Sequence, residues 1–75
     1  MNMLRAHACV PLIVKSVNVS DKNISLRLSA LGFKSGAKIK IISELKNKIA
    51  VIVSVEERAI ILSREILIDT EVEYA

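Results

Sequence analysis

Two residues near the start of the chain have side chains that can bind a metal ion. His7 and Cys9 are the only histidine and the only cysteine, and one residue separates them. Structural zinc sites use four protein ligands and catalytic ones three, so this pair needs further ligands, such as those of a second copy of the chain. Their terminal position, before Pro11, predicts fraying of residues 1–9. We expect no resident cofactor and keep His7 and Cys9 as candidates for Fe²⁺ or another divalent ion.

The same two side chains do not complete a catalytic site. Nucleophilic catalysis by cysteine needs a positioned base, a group that orients the base and an oxyanion hole. Asp69, Glu71 and Glu73 alternate along one predicted strand face, where like charges repel and exposure to solvent is expected. We therefore predict no catalytic residue and no enzymatic activity.

Lysines are concentrated in the middle of the chain. They either protect an edge strand from aggregation or form a positive surface that steers an acidic protein partner. Phe33 is expected in the core, or alternatively as an exposed contact for a partner. Ile42 and Ile52 fall on the outward phase of their strands, and exposure of both would indicate a small apolar surface for a partner or for weak self-association. The candidate partner-binding residues are Phe33, Lys34, Lys38, Lys40, Ile42, Lys46 and Lys48.

Composition limits the class of protein. The chain has 75 residues, which suits one domain over 1–75, and 52% of them are hydrophobic. Only 3% are aromatic and the net charge is a modest +3, so we expect no binding of nucleic acid by base stacking. The lone cysteine is typical of a reducing compartment. With no apolar run of about 18 residues and a polar start, we expect a cytoplasmic domain that does not span a membrane.

One short helix must connect the first strand to the rest. Asp21 can cap its start, and Gly32 can end it by adopting the left-handed backbone conformation at C′. Phe33 then follows at C″, where a hydrophobic contact with the last turn is typical. The apolar stripe of the helix predicts that it plugs one end of the fold through Ile24, Leu28, Leu31 and Phe33.

Period-two patterns predict the strands. Lys46-Asn47-Lys48 and Glu56-Glu57 are expected as tight turns between them. Five short antiparallel strands can curl into a small closed barrel that hides its edges. The fold class is therefore mainly β, with one short helix after the first strand. The predicted strands lie at 10–19, 37–45, 49–55, 59–62 and 68–74, and residues 63–65 are expected as one helical turn.

The segment 27–39 resembles the signature of the FeoA family, which reads Arg-Leu-x-x-Leu-Gly-hydrophobic-x-x-Gly before an alternating strand. The matching residues are Arg27, Leu28, Leu31, Gly32, Phe33 and Gly36. The resemblance extends from about Val14 to Glu73. It implies an SH3-like barrel in the cytoplasm with an accessory role in ferrous iron uptake, through contact with the cytosolic GTPase part of a FeoB-type transporter. Direct sensing of a transition metal and SH3-like nucleic-acid binding remain the alternatives.

Overall fold

The computed structural model describes residues 1–75, and every predicted strand is present. Pro11 is the first residue of the first strand, as expected for a residue that cannot donate to a ladder. A short helix follows the fourth strand at the predicted place. The elements are a 3-10 turn Met3–Arg5, β1 Pro11–Val17, α1 Lys22–Ala30, β2 Lys38–Leu45, β3 Ala50–Val55, β4 Arg58–Ser63, α2 Arg64–Ile68 and β5 Thr70–Tyr74.

The five strands form one antiparallel sheet in the order β4-β3-β2-β1-β5. Its register shifts between Val14 and Ser16 and between Ile41 and Ser43, and bulges of this kind bend a sheet. The mainly β barrel is confirmed, with one difference from the expectation. The ladder does not close through hydrogen bonds between β4 and β5; α2 and the 3-10 turn pack against each other at this gap.

The core lies inside the bent sheet. Alternate residues of β3 are fully buried, and Ile39 and Ile41 of β2 lie opposite them. Ile49, which the period-two pattern placed on the same face, instead lies in the hairpin turn and is 60% exposed. The core residues are Met3, Ala6, Leu12, Val14, Leu28, Phe33, Ile39, Ile41, Val51, Val53, Val55, Leu62, Leu67 and Val72.

Helix α1 begins and ends at the predicted residues. The Asp21 carboxylate accepts hydrogen bonds from the N–H groups of Asn23 (2.9 Å) and Ile24 (3.3 Å). At the other end, Gly32 has φ +92° and the Phe33 N–H donates to the Leu28 carbonyl at 2.9 Å, which is the bond of a Schellman motif. The glycine end of the helix is therefore confirmed.

The predicted plug is shorter than expected. Leu28 and Phe33 are buried and Leu31 is half-buried, whereas Ile24 is 39% exposed. Only the C-terminal end of α1 reaches the core, so its first turn projects into solvent and Ile24 does not contribute to the plug.

The two predicted turns both use left-handed backbone. Asn47 has φ 55°, and its neighbours Lys46 and Lys48 also have positive φ. Glu56 and Glu57 have φ 48° and 65°, as in a type I′ hairpin turn, although neither is glycine or asparagine. The twist of the flanking strands therefore outweighs the local steric preference here.

Candidate functional site

The N-terminal segment is packed against the barrel. Met3 and Ala6 are fully buried, and the Lys48 ammonium donates hydrogen bonds to the carbonyls of Leu4 (2.6 Å) and Ala6 (2.9 Å). The Glu44 carboxylate lies 3.4 Å from the same ammonium. Residues 1–9, for which fraying is predicted, are thus tied to the β2–β3 hairpin by hydrogen bonds from Lys48.

His7 and Cys9 are both exposed, but they remain a pair of ligands only. The His7 ring stacks on the Tyr74 ring, with 6.3 Å between centroids and 14° between planes. Cys9 has φ 65°, and its N–H donates to the Ile41 carbonyl at 2.7 Å. Nowhere in the protein do three or more His, Cys, Asp or Glu side chains come together as a metal-binding group. A third ligand would have to come from outside the chain.

The three carboxylates near the end of the chain do not form one acidic face. Asp69 lies outside β5, at the C-cap of α2. The Glu71 carboxylate accepts a hydrogen bond from the Asn2 side chain at 3.2 Å, and the Glu73 carboxylate pairs with Lys15 at 3.4 Å. Asp69 was expected on the same strand face as the other two, and that expectation is wrong because the helical turn continues to Ile68.

The predicted lysine cluster is divided by the structure. The Lys48 side chain is 21% exposed, and its ammonium is hydrogen-bonded to the N-terminal segment. Lys46 lies at the tip of the β2–β3 hairpin, roughly 20 Å along the strand from Lys40. Lys38 and Lys40 are exposed at the opposite end of β2, and Lys34 is exposed in the loop before it. None of these three lysines forms an ion pair.

The position of β2 decides between the two interpretations of these lysines. β2 is the central strand of the sheet, paired with β1 on one side and β3 on the other. Lys38 lies opposite Ile13, and Lys40 lies opposite Pro11 and Ser54. Lys38 and Lys40 therefore do not protect a free edge, since β1 pairs with β2 at these residues and β3 lies on the other side. We call the outward side chains of Lys38 and Lys40, together with Ile42, the β2 face.

The isoleucines are exposed to different degrees. Ile42 lies at the β2 bulge and is 48% exposed, whereas Ile52 is half-buried. Ile61 of β4 lies opposite Ile52 and is 68% exposed, so the outer apolar surface continues to the edge of the sheet. The sequence does not indicate that Ile61 is exposed, because the predicted strand 59–62 is too short to show an alternating pattern.

Phe33 does not serve as an exposed contact. Only 1% of it is accessible, and it belongs to the core. It also lines the single surface cleft of the protein, which lies between α1 and β1 and has a volume of about 360 Å³. No sequence motif indicates this cleft, because its walls come from three separate segments.

The bent five-stranded antiparallel sheet, with a glycine-capped helix between its first two strands, places the protein in the class of SH3-like barrels. The FeoA domain model matches residues 1–73, and the chain belongs to the FeoA family. This family is associated with ferrous iron transport. Neither helix of the protein is long and apolar enough to cross a membrane.

Solved structures of other proteins share the fold. Iron(II) transport protein A from Clostridium thermocellum has a TM-score of 0.86 and 26% identity, covering 99% of this chain and 45% of that chain. FeoA from Chlorobium tepidum has a TM-score of 0.90 and 22% identity, covering 99% and 70%. Stenotrophomonas maltophilia FeoA complexed with zinc, a procaryotic SH3 domain protein, has a TM-score of 0.80 and 20% identity, covering 97% and 89%. No curated protein sequence matches the chain.

Proposed function

We propose that the chain is a cytoplasmic regulatory module of ferrous iron uptake that binds the cytosolic GTPase part of a FeoB-type transporter and catalyses no reaction. Its membership of the FeoA family supports a role in ferrous iron transport. The observation that carries the binding role is the pair of unpaired lysines on the outer side of the central strand.

The charge on the β2 face has no partner within the protein. Lys38 and Lys40 are exposed, and the ion pairs of the chain are formed by other groups. Being two residues apart on one strand, they project to the same side, roughly 7 Å apart. A pair of uncompensated cations attracts an acidic surface and raises the rate at which the two proteins meet.

An apolar contact lies beside these charges. Ile42 follows Lys40 by two residues at the bulge and exposes 48% of its surface. Small interfaces commonly combine an apolar centre, which is desolvated on binding, with a charged rim that sets orientation. We therefore assign Ile42 to the centre of the contact and Lys38 and Lys40 to its rim, with Lys34 in the loop that precedes the strand.

Isothermal titration of the chain with the soluble cytosolic part of the cognate FeoB-type transporter tests the proposal. We expect a 1:1 complex whose affinity falls as salt is added, because solvent-exposed charges are screened. Absence of binding at protein concentrations of about 50 µM would contradict the proposal, since a physiological contact of this kind needs micromolar affinity.

Metal binding is the second candidate, and one observation favours it. The Stenotrophomonas maltophilia FeoA structure is a complex with zinc. In this chain His7 and Cys9 are exposed and would supply two of the ligands, leaving the others to a second copy. Nucleic-acid binding gains no support, because Phe33 is buried and Tyr74 alone is too little for a stacking platform.

A further inference from the structure

The cleft between α1 and β1 has an unusual lining. It is walled by two lysines, four serines, a valine and Phe33, and no carboxylate lines it. In a chain with 8 acidic residues, a cleft with cationic and hydroxyl groups and no carboxylate favours an anion. The cleft is separate from the β2 face, because none of Lys38, Lys40 and Ile42 lines it.

Three segments hold the cleft in shape. Ser25 and Ser29 are one helical turn apart and therefore lie on the same side of α1. Ser16 lies on β1 just after the bulge. The loop after the helix is fixed to β1, since the Ser35 hydroxyl donates to the Lys15 carbonyl at 2.8 Å. Phe33 is buried and forms the apolar part of the cleft lining with Val17.

Several donors along the walls have no acceptor within the protein. The hydroxyls of Ser25 and Ser29 form no side-chain hydrogen bond, and the Lys34 ammonium forms neither a hydrogen bond nor an ion pair. The Ser16 oxygen accepts from the Asn18 side chain at 3.2 Å, which leaves its own proton free to donate. Three hydroxyl donors and one ammonium are therefore available to a ligand.

The second lysine is held only weakly. Lys15 pairs with Glu73 at 3.4 Å, and both side chains are more than half exposed, at 54% and 55%. Exposed pairs of this type contribute little to stability because water screens them. An anion in the cleft can therefore compete with Glu73 for the Lys15 ammonium.

We propose that this cleft binds a phosphate group in its dianionic form. Two ammonium groups match the two negative charges, and three hydroxyls match the remaining oxygen acceptors. A carboxylate has one charge and two oxygens, so it leaves most of these donors unmatched. The phosphate can be free or carried by a larger molecule, because the cleft is much larger than the ion itself.

Titration of the ¹⁵N-labelled chain with inorganic phosphate tests this site, at constant ionic strength near pH 7.5. We expect saturable amide shifts at Ser16, Ser25, Ser29 and Ser35, with a dissociation constant on the order of 1–10 mM for so few exposed donors. Acetate should bind at least about tenfold more weakly, because it lacks the second charge. Shifts that do not saturate, or that acetate reproduces equally, would overturn the proposal.

Amino-acid substitutions distinguish phosphate binding in the cleft from nonspecific attraction to the positively charged protein. K34M should weaken phosphate binding about tenfold, the low end for loss of a charge-assisted hydrogen bond, and E73Q should strengthen it by freeing Lys15. R58M removes the same charge on β4, outside the cleft, and should leave the affinity unchanged. If R58M weakens binding as much as K34M does, there is no specific site.

The source of the phosphate is addressed by two further ligands. Phosphoserine and adenosine monophosphate each carry a dianionic phosphate, on an amino acid and on a nucleoside. If one of them binds more tightly than inorganic phosphate, the cleft recognises a phosphate carried by that class of molecule, a phosphorylated protein side chain or a nucleotide. If both bind more weakly than acetate, the cleft does not recognise a phosphate group and the proposal fails.

Discussion

Gly32 is the residue at which the sequence most directly determines the fold, and replacing it by alanine should destabilise the protein. Its φ of +92° is a conformation that a side chain disfavours by roughly 1–2 kcal/mol. A Cβ there would lie 2.7 Å from the Cδ and Oε2 atoms of Glu56. Glu56 is exposed and its carboxylate can move aside, so the backbone conformation dominates the cost.

The expected loss for G32A is therefore about 1–2 kcal/mol in the free energy of unfolding, or roughly 5–15 °C in Tm for a domain of this size. Gly36 provides a matched control, because its φ is +89° and nothing lies within 4 Å of its added Cβ. G36A should thus lower the free energy of unfolding by nearly the same backbone contribution, without a contact like that between the added Cβ and Glu56. The difference between the two variants measures the displacement of Glu56, and the G32A/E56A double variant should remove that difference.

Urea unfolding followed by circular dichroism gives both free energies in one assay. The expected result is a lower midpoint for both glycine variants, with an unchanged slope. If G32A is as stable as the original protein, the left-handed end of α1 is not required. The Schellman motif would then not be what places Phe33 in the core.

Substitutions of Phe33, Lys48 and Cys9 test three further features of the structure. F33A should lower the free energy of unfolding by about 3–5 kcal/mol, since Phe33 is 1% exposed. F33L should retain most of the stability, and equal losses for both variants in urea unfolding would contradict the role of Phe33 in core packing. K48M should lower the free energy of unfolding by about 1.5–3 kcal/mol, because the Lys48 ammonium bonds two carbonyls of the N-terminal segment. Amide hydrogen exchange should become faster at Ala6, and an unchanged rate would show that this lysine does not hold the segment. If His7 and Cys9 are zinc ligands, C9S should abolish zinc binding measured by calorimetry, whereas the control S54A should leave it unchanged. An unchanged zinc affinity in C9S would exclude this pair as a metal site.

Local sequence rules predict much of the fold, since their causes act over a few residues. Asp21 and Gly32 bound α1 because capping depends on neighbouring backbone groups. The alternation of β3 predicts the buried positions Val51, Val53 and Val55, since successive side chains of a strand point to opposite faces. These features required no knowledge of the rest of the molecule.

The misplaced features depend on contacts between distant parts of the chain. Lys48 bonds carbonyls 42 and 44 residues away, so nothing near it in sequence distinguishes it from Lys46. The exposure of Ile24 follows from how far α1 overlaps the barrel, which the helical pattern does not specify. The central position of β2 is likewise seen only in the strand pairing. It is this position that shows that Lys38 and Lys40 do not lie on a free strand edge.

The candidate cleft was beyond prediction for the same reason. Ser25 and Ser29 follow Ser16 by 9 and 13 residues, and no sequence motif links them to it. Their hydroxyls line one cleft only after the bulge in β1 and the short loop at Ser35 bring the segments together.

Charge reversal on the β2 face is the most direct test of the proposed binding role. The measurement is the dissociation constant of the complex with the soluble cytosolic part of the FeoB-type transporter, for the original chain, for K38E/K40E and for K22E/K46E as a control of equal charge. We expect K38E/K40E to weaken binding at least about tenfold. The lysines of the control lie at the start of α1 and at the hairpin tip, so K22E/K46E should change the affinity by less than about threefold. Equal weakening by both double variants, or none by K38E/K40E, would contradict the proposed binding role.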